Sequence, residues 1–207
     1  MLNFLPALGA GTLRCARLIG LLGAMAFAGC ATHYVDGTTK EVPTASFKKP
    51  ATPQPVQLLF EFQTKGTLNA RATDMLKAEV TQQVKGSGLF AGVDDKPVAG
   101  GALLSLTLNN VPLTDDVFTK GFVTGFTFGL VGSQVSDGYV CTATYLTSDK
   151  PAGITKSARH AIHTSMGTGG APPNSAKAES LTAAVHTMVR QIVSTTLNDL
   201  SQDPSFK

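Results

Sequence analysis

The first thirty residues decide how much of this chain is left to fold. Two arginines and no acidic residue precede an apolar run over residues 18–28, which is followed by Gly29 and Cys30. A basic start, a short apolar run and small residues at its end are typical of a signal peptide. The run is too short for a membrane-spanning helix, which needs about 20 apolar residues. We therefore predict that residues 1–29 are removed and that the folded domain lies after them.

The residues before Cys30 favour lipid attachment at that cysteine. Phe27-Ala28-Gly29-Cys30 resembles a lipobox, in which small residues precede a cysteine that receives a diacylglycerol, although Phe27 stands where leucine is usual. The same stretch contains an A-x-A cleavage site, Ala26-Phe27-Ala28, which would release an unmodified chain beginning at Gly29. A cysteine directly after two small residues serves no purpose in an ordinary secreted protein. We therefore expect lipidation at Cys30.

A lipid on Cys30 makes the membrane the first expected partner. One acyl chain binds a bilayer only marginally, whereas two or three chains on one cysteine hold a protein stably. Ala31 follows the cysteine, where some bacteria place an aspartate that retains lipoproteins in the inner membrane. The lipobox resemblance therefore implies an outer-membrane lipoprotein that faces the periplasm.

Composition limits the mature chain to one domain without nucleic-acid partners. Removal of 29 of the 207 residues leaves 178, enough for one sizeable core. Both signal-segment arginines are lost, so 15 Lys and Arg face 14 Asp and Glu, a formal charge near +1. Basic residues do not cluster with aromatic residues as they do in nucleic-acid binders. We expect no nucleic acid as a partner.

The cysteines predict no disulfide in a lipidated chain. Cys15 leaves with the signal peptide, the lipid occupies Cys30, and Cys141 remains alone. Without the lipid, a disulfide between Cys30 and Cys141 becomes available in an oxidising periplasm. Cys141 lies in an alternating, strand-like run over residues 139–145 and has no acid or histidine beside it. This pattern indicates an unreactive core cysteine and not a nucleophile.

Hydrophobic periodicity predicts one α+β domain over residues 56–207, preceded by a Pro- and Thr-rich flexible tether over residues 30–55. Short apolar or alternating runs predict five strands, at residues 56–62, 89–93, 101–108, 139–146 and 158–165. Apolar residues at helical spacing predict two helices, at about 69–85 and 175–200. This order of elements favours a largely antiparallel sheet of about five strands with both helices on one face.

Three stretches resemble a known group of envelope lipoproteins. They are the strand at 56–62, the helix end that leads into Ser87-Gly88-Leu89-Phe90, and the Gly-rich Phe126-Thr127-Phe128-Gly129-Leu130. The chain is similar over about residues 56–200 to bacterial lipoproteins related to auxiliary lipoproteins of ABC-type transport systems and to the curli-secretion lipoprotein. The resemblance implies a small α+β domain that serves envelope assembly or export. It implies no catalytic residue.

A Phe- and Gly-rich segment over residues 118–131 is the candidate interface. Its bulky residues are Phe118, Phe122, Phe126, Phe128 and Leu130. Glycines and most of these residues recur every four positions, so a helix would carry an apolar ridge beside a flat glycine strip that suits the membrane boundary or a partner. Alternatively, Phe122, Phe126, Phe128 and Leu130 share one face of a strand and belong to the core. The core interpretation is favoured.

No catalytic, metal or cofactor site stands out in the sequence. His160 and His163 lie in a predicted strand, where an odd separation directs them to opposite faces. We therefore expect a non-enzymatic lipoprotein without cofactor or metal, which serves envelope assembly or export through protein or lipid contacts. The alternative is a periplasmic domain that binds a lipid or hydrophobic peptide beneath residues 118–131. A cleft lined by groups with shifted pKa values would instead indicate a hydrolase.

Overall fold

The computed structural model describes residues 31–112, 134–167 and 170–206. Eight strands and two α-helices account for most of them. The strands are β1 (Thr32–Asp36), β2 (Pro55–Thr64), β3 (Thr67–Leu68), β4 (Gly92–Asp94), β5 (Ala102–Pro112), β6 (Gln134–Thr147), β7 (Lys150–Ser165) and β8 (Ser175–Lys177). The helices are α1 (Ala70–Gly86) and α2 (Leu181–Ser201).

All eight strands belong to one open sheet in the order β3-β2-β5-β6-β7-β1-β8, with β4 also paired to β2. Strand β2 runs parallel to β4 and β5, and the other pairs are antiparallel. The predicted α+β class with a largely antiparallel sheet is therefore confirmed. The predicted number of about five strands is wrong. Strands β1, β3 and β8 are short and largely polar, so they lack the apolar run by which strands are recognised.

Both helices pack on one face of the sheet and bury a shared core. Leu76, Val80 and Val84 recur every four residues along α1 and are fully buried. The opposing sheet face carries alternate residues of β5, including Leu104 and Leu106, which are also fully buried. Helix α2 adds a broader apolar face to the same cluster. The helical period of about 3.6 residues and the strand period of 2 residues thus each direct one apolar face toward the shared core.

Several predicted boundaries are wrong because pairing extends or replaces the predicted elements. Strand β5 continues to Pro112 and not only to residue 108, and β6 begins at Gln134 and not at residue 139. Strand β7 begins at Lys150 and not near residue 158, since it forms a hairpin with β6 down to the Thr147–Lys150 pair. Helix α2 begins at Leu181 and not near residue 175, because β8 pairs there with β1. Ser180 caps the helix by accepting a hydrogen bond from the Ala183 N–H at 3.1 Å.

The segment predicted as a flexible tether is part of the domain from Thr32 onward. Strand β1 pairs with β7 on one side and β8 on the other. Val35 is buried to 4% exposure, and Phe47 further along the segment is also buried. The Val42 N–H donates to Ser194 Oγ, which ties the connecting chain to α2. The prolines and polar residues of this segment are typical of a tether. Strand β1 is nevertheless ordered, because its backbone pairs with two strands and its two apolar side chains are buried.

Within the described ranges, no helix is both long and apolar enough to span a bilayer.

Candidate functional site

The sheet has two distinct ends, and the chain enters at one of them. Ser165 of β7 pairs with Gln134 of β6 on one side and with Thr32 of β1 on the other. These three residues form one row at what we call the N-terminal end. The opposite end, which we call the cleft end, holds the β6–β7 hairpin and the start of β2 and β5.

The N-terminal end carries half of the exposed bulky apolar side chains of the described residues. Six such residues are exposed. Three of them lie at this end: Val135 and Met166 beside the end row, and Leu181 at the start of α2, which follows Ala178 and its hydrogen bond to the His33 carbonyl. Their exposed fractions range from 38% to 52%. Exposed apolar residues are ordinary when scattered, but three at one end form a candidate interaction surface.

Turn and capping residues lead the chain from β2 into α1. Lys65 and Gly66 adopt positive φ angles of 54° and 76°, which makes the tight β2–β3 turn possible. Asn69 then caps α1, since its side chain accepts a hydrogen bond from the Ala72 N–H at 3.1 Å. Helix α2 begins at the N-terminal end, whereas α1 begins beside the end of β2, level with the middle of β6.

The site residues predicted from the sequence lie outside the described residues. This holds for Cys30 and for Phe118, Phe122, Phe126, Phe128 and Leu130. The described residues nearest to the Phe- and Gly-rich segment in the sequence are Pro112 and Gln134, and the sheet register puts both toward the N-terminal end. The membrane and interface assignments of these residues therefore stay predictions.

A buried polar cluster links β1, β7 and β6 on the sheet face away from the helices. His163 Nδ1 lies 2.7 Å from Ser136 Oγ, and His163 Nε2 lies 3.4 Å from Asp36 Oδ2. The Thr38 N–H donates to the other Asp36 carboxylate oxygen at 2.7 Å. Burial raises the pKa of Asp36, but the hydrogen bonds from His163 and Thr38 outweigh it and leave the pKa below its ordinary value.

This cluster has the residue types of a hydrolase triad but serves better as a lock on β1. His163 and Asp36 are each only about 5% exposed, and neither lines the clefts at the other end of the sheet that are described below. The histidine instead joins β1 to β6 across β7. No local sequence pattern indicates this cluster, because Asp36 is 127 residues from His163 and lies in the segment predicted as a tether.

The second histidine of β7 faces the helices, as the odd spacing predicted. His160 is fully buried, and its Nε2 lies 2.7 Å from Gln191 Oε1 of α2. Burial lowers the pKa of His160, and the hydrogen bond to Gln191 only partly offsets this. His160 and His163 thus do not converge on a shared ligand. Among the described residues, no group of three or more His, Cys, Asp or Glu side chains is arranged to hold a metal ion.

Cys141 lies in the core, as its alternating surroundings predicted. It is 1% exposed on the helix-covered face of β6. Burial raises the pKa of its thiol to about 11, despite a hydrogen bond with Thr196. A thiol with this pKa is almost entirely protonated near neutral pH and reacts slowly. A disulfide to Cys141 would require the domain to open.

The cleft end holds an open cleft of about 800 Å³ with an aromatic floor. Tyr145 and Phe206 line it, with ring centroids 5.0 Å apart in an edge-to-face arrangement. Phe90 packs against both rings at 6.0 Å. Lys48 and Lys49 form part of the opposite rim. A second groove of about 530 Å³ shares Ile154 with this cleft and runs along β7.

The groove follows a stretch of β7 whose outer edge pairs with no strand among the described residues. Strand β1 covers β7 only from Ile162 to Ser165. The Arg159 carbonyl points to this outer edge, since it accepts a hydrogen bond from Thr39 Oγ1 at 2.7 Å. Because backbone direction alternates along a strand, Thr155 and Ser157 also turn their N–H and C=O groups to this edge. The sequence pattern could not reveal this edge, since it depends on where β1 stops.

The sequence matches no protein-family model and no curated protein. Among solved structures, a PelC dodecamer from Paraburkholderia phytofirmans aligns with 84% of this chain and 99% of its own chain, at 11% identity and a TM-score of 0.36. A point variant of that PelC dodecamer aligns over 84% and 97%, at 13% identity and a TM-score of 0.35. A candidate lipoprotein from Caulobacter crescentus CB15 aligns over 69% and 84%, at 11% identity and a TM-score of 0.26. One distant structural neighbour is therefore a candidate lipoprotein, and likeness at this level assigns neither family nor function.

Proposed function

We propose that this protein is an outer-membrane lipoprotein, held by acyl chains on Cys30, that serves as a non-enzymatic accessory in envelope assembly or export. The observation that carries the proposal is the position of the predicted lipid site in the chain. Cys30 stands two residues before Thr32, where the ordered domain starts with β1. A lipid at this position would attach the whole domain to the membrane with almost no intervening chain.

The polar groups of the described domain support a binding role over a catalytic one. The Ser136, His163 and Asp36 side chains are engaged with one another away from both clefts. The Cys141 thiol is buried and protonated. The features that face solvent are the apolar N-terminal end, the cleft and the stretch of β7 that pairs with no described strand on its outer side. These features are better suited to binding a partner than to catalysing a reaction.

The lipid anchor is tested by the intact mass of the mature protein from the membrane fraction. We expect a chain that begins at Cys30 and carries two or three acyl groups. The matched control is Cys30→Ser, which should leave the membrane fraction, because it loses every acyl chain while the domain is unchanged. An unmodified mature chain that begins at Gly29 would contradict the proposal.

A second candidate function is a binding domain for an extended hydrophobic peptide, and the groove along β7 favours it. A peptide strand could hydrogen-bond to the outward backbone groups of Thr155 and Ser157. Its apolar side chains would reach the cleft floor at Tyr145 and Phe206, because groove and cleft are continuous at Ile154.

This second function is tested with a displayed library of random peptides about 12 residues long, long enough to cover the free edge. Enriched peptides should bind Ser157→Pro at least about tenfold more weakly, a loss of about 1.4 kcal/mol, because proline removes the outward donor. Ser157→Ala keeps the backbone donor and should bind as the parent does. Proline is tolerated at an outward edge position, so the fold should persist. Equal binding by all three proteins, or no enrichment, would contradict strand addition.

A further inference from the structure

The short stretch of chain between Cys30 and β1 limits how a lipidated domain can be oriented on its membrane. Thr32 is the second residue after Cys30, and two extended residues span at most about 7 Å. Thr32 is held in the sheet by its pairing with Ser165. Acyl chains on Cys30 would therefore bring the N-terminal end of the sheet to the level of the lipid headgroups.

We infer that the N-terminal end of the domain is a membrane seat whose partner is the lipid bilayer surface, an inference that rests on the proposed lipidation of Cys30. The seat consists of Val135, Met166 and Leu181. Val135 and Met166 are exposed beside the row of the sheet that contains Thr32, and Leu181 starts α2 shortly after Ala178, whose N–H donates to the His33 carbonyl. Apolar side chains at a membrane boundary insert about 5 to 10 Å into the headgroup region.

The remaining three exposed apolar residues lie elsewhere on the domain. Leu59 lies in the middle of β2 on the face away from the helices, Leu68 pairs with Gln63 at the other edge of the sheet, and Met75 lies in the second turn of α1. None of them lines the cleft. A domain seated on its N-terminal end therefore covers the group of three and leaves the cleft end free of the membrane.

This seating directs the strands away from the bilayer. Strand β5 joins the two ends with 11 residues, which correspond to about 35 Å at about 3.3 Å per residue. The cleft with Tyr145 and Phe206 would then open into the periplasm at about that distance from the membrane surface. A soluble or membrane-distant partner could reach the cleft while the lipid remains inserted.

The seat is tested by fluorescence quenching in the lipidated full-length mature protein. Three variants, Met166→Cys, Leu59→Cys and Ser148→Cys, place one reactive thiol at the seat, on the open sheet face and at the cleft end. Cys141 is buried with a thiol pKa of about 11, so it should not react with the fluorophore in the folded protein. The proteins are reconstituted into phosphatidylethanolamine and phosphatidylglycerol vesicles that carry a nitroxide on the headgroup.

We expect strong quenching at position 166, weaker quenching at position 59 and no quenching at position 148. Equal quenching at positions 166 and 148 would overturn the seat, and stronger quenching at position 59 would show that the sheet lies flat. In both cases, an intact mass that shows acyl groups on Cys30 would leave the proposed lipoprotein function intact. An intact mass without acyl groups would contradict both the lipoprotein function and the membrane seat, because both rest on lipidation of Cys30.

Discussion

Replacing Val35 with Asp should lower the free energy of unfolding by on the order of 4 kcal/mol. Val35 is 4% exposed in β1 and belongs to the main hydrophobic cluster. A carboxylate at this position would lose its hydration without gaining a cationic partner from the core, which is among the most destabilising single changes. Urea unfolding followed by circular dichroism measures the loss.

The matched control for this change is Lys40→Asp, which introduces the same side chain at an exposed position five residues later. We expect that control to change the free energy of unfolding by less than about 0.5 kcal/mol, as is usual for surface substitutions. If Val35→Asp behaved like the control, β1 would not be part of the folded domain. Residues 32–54 would then act as the tether that the sequence predicted, and the membrane seat would lose its basis.

Phe206→Ala should lower the free energy of unfolding by about 3 kcal/mol, the lower part of the range for buried phenylalanine truncations. Phe206 lies near the end of the chain but is only 7% exposed. Its ring packs on Tyr145 and Phe90, so truncation leaves a void beneath the cleft floor. The same urea titration measures the effect.

Phe206→Leu is the control, because it keeps an apolar side chain of similar volume and should cost less than about 1.5 kcal/mol. The Ala variant should also weaken any peptide that binds in the cleft, whereas the Leu variant should weaken it less. Equal stability of the two variants would mean that the C-terminal residues do not pack as described. The cleft would then have a different floor.

The helices and interior strands could be predicted because their patterns are local. Helix α1 begins within one residue of its predicted start and ends within one residue of its predicted end, since its stripe of Leu76, Val80 and Val84 has the helical period. Strand β5 begins within one residue of its predicted start, through the alternation that buries Leu104 and Leu106, although it continues four residues past its predicted end. In both cases a single hydrophobic core imposes the period on neighbouring residues, so a short window of sequence contains the signal.

Strand β1 and the polar cluster could not be predicted because their partners are remote in sequence. Strand β1 has two buried apolar side chains among polar neighbours, and its order comes from backbone hydrogen bonds to β7 and β8. Asp36 lies in the segment predicted as a tether, and only the folded chain brings it beside His163. The part of β7 that pairs with no described strand on its outer side exists only because β1 stops at its pairing with Ile162.

The sequence by itself determined the α+β class, the two helices, the core faces and the candidate lipid site at Cys30. Each of these depends on residue types at short, regular spacing. Only the tertiary structure decided that the presumed tether contains a strand of the sheet, β1, and that three exposed apolar residues share the end where Cys30 lies close by in the chain. It also decided that the cleft lies at the opposite end. These features arise from strand register and long-range pairing, which the periodicity of a single segment does not encode.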